Sequence, residues 1–161
     1  MPDTLTHAGL GTLAAAVRRR LKQLVSARLA PFDLTIQQFR VILVLMEHGS
    51  TSLHPLAQQV WMDDPTASRV VKAMVSRGLL RTQPDPRHGR RILISLAPGA
   101  LLLTPELQAL AAEVKAGLIA GMNLDQQAIL RQGLHTMITN LNAMLAGTPA
   151  EASEQPTIAA S

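Results

Sequence analysis

Seven basic side chains, Arg69, Lys72, Arg77, Arg81, Arg87, Arg90 and Arg91, lie between Leu53 and Ala97, against three acidic ones, Asp63, Asp64 and Asp85. That segment therefore holds the whole +4 excess of the 161-residue chain, and the remainder, with eight basic and eight acidic side chains, is neutral. A local excess of cations suits a face that meets a polyanion. Other chemistries find little to work with. The chain has no cysteine, which removes disulfide scaffolds, thiolate zinc sites, thiol catalysis and thiol redox sensing. Its histidines, His7, His48, His54, His88 and His135, show no i, i+4 metal-ligand pair. No nucleophile elbow or phosphate loop accompanies the scattered Ser, His and Asp residues, so no enzyme is expected. The aromatics are Phe32, Phe39 and Trp61, too few for a base-stacking platform. Trp61 is expected in the core.

The elements that must position the basic cluster follow from periodicity. Leu10, Leu13, Val17, Leu21 and Leu24 recur at helical spacing, and Pro31 ends that first helix near Ala30. Thr35 is a candidate N-cap for a helix from Ile36 to His48, closed by Gly49. A short helix from Leu53 to Val60 opens at Ser52. Asp63 or Asp64, with Pro65, starts a fourth helix that ends at Gly78. Leu79–Gln83 and Arg91–Leu96 predict a β-hairpin whose flexible basic tip runs from Pro84 to Arg90. Pro98 to Gly121 is again helical, with Pro105 demanding a kink or a restart at Thr104. A last helix from Asp125 to Leu145 aligns Ile129, Leu130, Leu134, Met137, Ile138, Leu141 and Leu145. The small, polar tail is expected to be disordered. No apolar run reaches the ~20 residues of a membrane span. Met1–Leu10 lacks the pattern of a secretory signal, so a cytoplasmic address and no membrane partner are expected.

Three short helices and a hairpin between long helices describe a winged helix-turn-helix, and from Leu10 to Leu145 the sequence resembles the MarR-type transcriptional regulators. The resemblance is carried by Leu34-Thr35-Ile36-Gln37-Gln38-Phe39-Arg40-Val41-Ile42, Leu56-Ala57, Thr66-Ala67-Ser68-Arg69-Val70-Val71, and Arg77-Gly78-Leu79-Leu80-Arg81 leading to Asp85-Pro86. It implies a mainly α fold with a small β-hairpin wing. Residues 1–33 would form an N-terminal dimerisation arm and 34–97 the DNA-binding lobe. Residues 98–146 would supply C-terminal dimerisation helices, and 147–161 the disordered tail.

As a recognition helix, the fourth helix presents Pro65, Thr66, Ser68 and Arg69 in its first turn, with Lys72 one turn on. Such a turn enters a major groove, where hydroxyls serve bases or phosphates and Arg binds guanine in bidentate fashion. Arg87, Arg90 and Arg91 would bring the wing to a minor groove, whose narrowing favours arginine. The family's usual Asp-x-Arg at the wing is His88-Gly89-Arg90 here, so the aspartate that would brace Arg90 is missing. Likewise the usual Leu-Thr before the next helix is Leu96-Ala97, with Pro98 able to initiate it.

The resemblance further implies a homodimeric repressor on a palindromic double-stranded DNA operator. Its release by a small aromatic acid is expected, with no other cofactor. Arg18, Arg19, Arg40 and His48 are the candidate carboxylate partners, with Ile36 and Phe39 as apolar wall. The alternative is a ligand-independent regulator, or a metal-responsive one in which His48, His54 and Asp63 converge.

Overall fold

The order of elements follows the sequence closely, and local hydrogen bonds explain most of the boundaries. The computed structural model describes residues 8–147; the expected tail beyond Gly147 and His7 lie outside them. The chain divides into two compact units that meet between Ala116 and Gly117.

In the first unit, α1 runs over Leu10–Leu29 and gives way to a single 3-10 turn at Ala30–Phe32. The apolar stripe expected along α1 is two stripes. Val25 and Leu29 are buried, with Leu21 packed beside them, while Leu10, Val17 and Leu24 are exposed. The exposed three recur every seven residues and so share one face of the helix. Asp33 takes a left-handed conformation (φ 50°), and the chain bends by 80° into α2, Ile36–His48. There Thr35 and Gln38 form the reciprocal box that their spacing allows. The Gln38 N–H donates to Thr35 Oγ1 at 3.2 Å, and the Thr35 N–H donates to Gln38 Oε1 at 2.9 Å.

Helix α3, Leu53–Gln59, is followed by α4, Asp64–Ser76. Ala67, Val71 and Met74 form the buried stripe of α4, and the alternation of four- and three-residue steps turns Arg69 and Lys72 to solvent. Gly78, at φ 68°, ends this segment, where only glycine is unstrained. The turn between α3 and α4 corrects one expectation. Trp61 is 77% exposed and left-handed (φ 58°) rather than in the core. Its N–H donates to the Gln58 carbonyl and that of Met62 to the Ala57 carbonyl, a helix-ending pattern that throws the side chain outward.

Strands β1, Leu80–Asp85, and β2, His88–Leu96, pair antiparallel. Thr51 adds a bridge to Ile94. The tip is tighter than the sequence suggests, because β2 begins at His88 and places Arg90 and Arg91 on a strand. Pro84 is accommodated at a register irregularity between Pro84 and Asp85. Asp85 is buried, and its Oδ1 accepts the Arg87 N–H at 2.9 Å, locking the turn.

Pro98 starts α5, Pro98–Leu101, and the helix restarts as α6, Thr104–Leu118, where Pro105 required a break. A Cβ on Gly99 would sit 2.7 Å from the Gly78 carbonyl oxygen, so this close crossing needs glycine. The core joins Leu29, Val41, Ile42, Leu56, Val60, Met74 and Leu107, each essentially sealed from solvent. Burial at this level contributes about 1.5–3 kcal/mol per large aliphatic side chain and is what holds α4 in place. Arg77 adds a tie across the same core, donating to Asp33 at 2.9 Å and to Gln38 at 3.4 Å.

The second unit is built on α7, Leu124–Gly147. Asn123 caps it, accepting from the Gln126 N–H at 2.8 Å while Gln126 Oε1 accepts from the Asn123 N–H at 2.9 Å. None of its residues is buried; Ile129, Leu130, Leu134, Ile138, Leu141 and Leu145 remain exposed. No single helix among the described residues is long and apolar enough to cross a membrane.

Candidate DNA-contacting surface

The N-terminal turn of α4 carries a chain of hydrogen bonds that ends on a guanidinium. Asp63 is the N-cap, and its Oδ1 accepts the Thr66 N–H at 2.7 Å. Its Oδ2 accepts the Thr66 hydroxyl at 3.0 Å, and Thr66 Oγ1 in turn accepts from Arg69 Nη2 at 3.2 Å. Because Asp63 takes the hydroxyl proton, the Thr66 lone pairs face Arg69. The two Thr66 hydrogen bonds hold the Asp63 carboxyl below the usual carboxylate range, with the Arg69 charge a smaller contribution in the same direction. Local sequence makes this arrangement possible, since positions three apart on a helix are neighbours.

A second set of contacts fixes α3 against α4. His54 Nδ1 lies 3.1 Å from Asp64 Oδ2, and Gln58 Nε2 lies 3.1 Å from His54 Nε2. A neutral His54 with its proton on Nδ1 satisfies both, donating to the carboxylate and accepting from the amide. Pro65 is exposed beside these groups, Ser68 is half-buried, and Lys72 extends the exposed face by one turn.

On the hairpin, Arg87, His88, Arg90 and Arg91 are all exposed. Successive residues of a strand point to opposite faces, so Arg90 and Arg91 offer charge on both sides of β2. Arg81 is tied back across the hairpin, its Nε donating to Ser95 Oγ at 3.0 Å. Among the described residues no carboxylate pairs with Arg90. The surface thus combines a braced arginine at a helix start with unbraced arginines on a projecting hairpin.

The residues named as effector partners are not gathered into an enclosed space. Phe39 is part of the core and Ile36 packs against it. Arg18, Arg19, Arg40 and His48 are exposed, and His48 stands 3.8 Å from Glu47. A concavity of about 500 Å3 lies instead along α7, lined by Leu124, Gln127, Ala128, Arg131, Gln132 and His135. No group of three or more acidic or histidine side chains able to hold a metal occurs among the described residues. His48, His54 and Asp63 do not form one: His54 turns to Asp64 and Gln58, and Asp63 is occupied by Thr66. The His54–Asp64 brace was not anticipated, because it joins two elements whose approach only the turn geometry reveals.

Comparison with known proteins identifies the family and the fold. The sequence profile of the MarR family matches residues 32–91. A crystal structure of a probable transcriptional regulator from Pseudomonas aeruginosa is 31% identical, covering 75% of this chain and 93% of that one, with a TM-score of 0.59.

The chain belongs to the MarR family.

MarR proteins are transcriptional regulators and not enzymes, so this chain is a DNA-binding transcriptional regulator. Its fold is shared more widely. A cysteine-to-serine mutant of E. coli MarR, crystallised with operator DNA, is 23% identical with a TM-score of 0.70, over 80% of this chain and 92% of that one. BpsR of Bordetella bronchiseptica, whose DNA binding is described as regulated by 6-hydroxynicotinic acid, is 24% identical with a TM-score of 0.69. That match covers 80% of this chain and 97% of BpsR. The MarR family match, over residues 32–91 of this chain, takes in α2, α3, α4 and most of the hairpin, the part that carries the arginine surface.

Proposed function

We propose that this MarR-family regulator is a homodimeric repressor that reads a palindromic operator with α4 and is released by a small aromatic acid. The observation that carries the reading is the Asp63–Thr66–Arg69 chain, which holds a guanidinium at the helix start. Pro65, Thr66, Ser68 and Arg69 meet base edges and flanking phosphates in the major groove, and Lys72 a phosphate. Arg87, Arg90 and Arg91 contact the backbone and the adjacent minor groove through charge alone, without an aspartate brace.

Two copies are required for useful specificity, with half-sites about one helical turn (~34 Å) apart. The exposed heptad of Leu10, Val17 and Leu24 and the uncovered apolar residues of α7 supply surface for that pairing. Each needs a partner helix.

The effector is an aromatic carboxylate or phenol recognised by Arg18 or Arg19, with Arg40 and His48 as further partners. Support comes from the ligand named for BpsR, a protein of the same fold. Because the chain contains no cysteine, a bound ligand rather than thiol chemistry transmits the signal. Repression follows from occlusion of the operator by the bound dimer.

The test is a fluorescence-anisotropy titration against a duplex selected from a randomised pool, followed by a screen of benzoates, salicylates and hydroxynicotinates. The reading expects a dimer per duplex and at least one acid that both raises Tm and dissociates the complex. Binding that discriminates no sequence contradicts the recognition-helix assignment. A screen without an active acid contradicts the effector assignment alone.

A further inference from the structure

Trp61 combines three properties that no packing role explains. It is a large aromatic in the left-handed region (φ 58°), where glycine is the unstrained choice. It is 77% exposed, so most of its surface is left uncovered within the chain. It also lies two residues before Asp63, the N-cap of the helix that carries Thr66 and Arg69. A strained backbone that presents an indole to solvent is retained where the side chain serves something outside the fold.

We propose that Trp61 is an additional DNA contact, laying its indole against the sugar–phosphate strand that borders the major groove entered by α4. The inference rests on the reading of α4 as the recognition helix. With the start of α4 in the groove, the residues just before its N-cap lie over the groove's edge. The indole suits that edge: Nε1–H is a donor with no acceptor, matching phosphate oxygens, and the ring covers deoxyribose. Its neutrality matters as well, because two carboxylates follow it. Asp63 is engaged by Thr66 and Asp64 by His54, so both are held by protein partners rather than turned to the phosphates. The contact adds affinity without reading bases, and it releases no counterion.

Trp61 is the chain's single tryptophan, so its emission reports this position alone. The full-length protein is titrated with a fluorescein-labelled duplex selected from a randomised pool, following label anisotropy and tryptophan emission in parallel. The proposal expects the emission to change with the same midpoint as the anisotropy, and iodide quenching to fall in the complex. Trp61→Gly, which suits the left-handed backbone, should leave Tm unchanged or higher and weaken selected and scrambled duplexes alike, at least about fivefold. Its salt dependence should match that of the wild type. Saturating anisotropy with unchanged emission overturns the proposal, as does a Trp61→Gly variant that binds with full affinity. Emission that responds to protein concentration but not to duplex assigns Trp61 to a contact between copies and also overturns it. Anisotropy that stays flat for every duplex overturns the reading of α4, and the Trp61 contact with it.

Discussion

Removing the Thr66 hydroxyl separates the positioning of Arg69 from the folding of α4. In Thr66→Ala the backbone N–H remains, so Asp63 Oδ1 keeps its 2.7 Å bond and the helix stays capped. What disappears is the hydroxyl that joins Asp63 to Arg69. Arg69 is exposed, so the effect on stability is small, under about 1 kcal/mol. The effect on DNA binding is larger, because a freed arginine must be ordered on binding at about 0.5–1.5 kcal/mol per side chain. Two half-sites double that to about 1–3 kcal/mol, or roughly 5- to 150-fold in Kd. The assay is a double-mutant cycle of Thr66→Ala and Arg69→Ala by anisotropy on a selected duplex, with Tm measured for each variant. Thr66 acts through Arg69, so in the Arg69→Ala background its removal should change Kd little. Additive effects would refute the positioning argument and leave Thr66 as an independent contact. Equal affinity of Thr66→Ala and wild type would refute it altogether.

Other perturbations probe the cap, the wing and the fold. The Asp63 carboxyl has a lowered pKa in the folded chain, so its stabilising charge is present above the ordinary carboxylate range and is lost as pH falls through the lowered value. The Tm gap between wild type and Asp63→Asn should therefore be constant at neutral pH and close under strongly acidic conditions; a gap independent of pH contradicts the cap's charge. Arg90→Ala should weaken selected and scrambled duplexes together and reduce the slope of log K against log salt by about 1 per protomer. An unchanged slope removes Arg90 from the interface. Gly99→Ala forces a Cβ to within 2.7 Å of the Gly78 carbonyl oxygen and should lower stability by about 1–3 kcal/mol in urea unfolding, through a backbone that must shift. A neutral result would mean that the crossing of these segments is loose.

Features held by neighbours in sequence were legible without coordinates. Thr35 and Gln38 lie three apart and close their box locally, and Gly49 and Gly78 adopt the positive φ that such helix ends favour. Thr66 and Arg69 stand out because the basic cluster and the helix start coincide. Features decided by tertiary approach were not. The side chain of Trp61 follows the turn that ends α3, and hydrophobicity alone pointed it inward. The tip of the wing is tightened by Asp85, whose buried carboxylate captures the Arg87 N–H, a bond invisible in a run rich in proline and arginine. On α1, spacings of three and four grouped Leu10, Val17 and Leu24 with Leu21. Only the structure separates the heptad left exposed from the face buried in the core. Phe39 shows the same limit from the other side: its apolar character fits a pocket wall or a core, and the packing around α2 places it in the core.

The specificity ratio of the Arg69→Ala variant tests the central claim most directly. Affinity for a selected duplex and for a scrambled duplex of equal length is measured at one salt concentration, for wild type and variant. The wild type should prefer the selected duplex by about 10³-fold or more. Loss of a bidentate arginine in both half-sites should remove about 2–6 kcal/mol of that preference and leave the scrambled affinity nearly untouched. A variant that loses affinity for both duplexes equally, with its preference intact, would contradict the assignment of Arg69 and α4 to sequence reading.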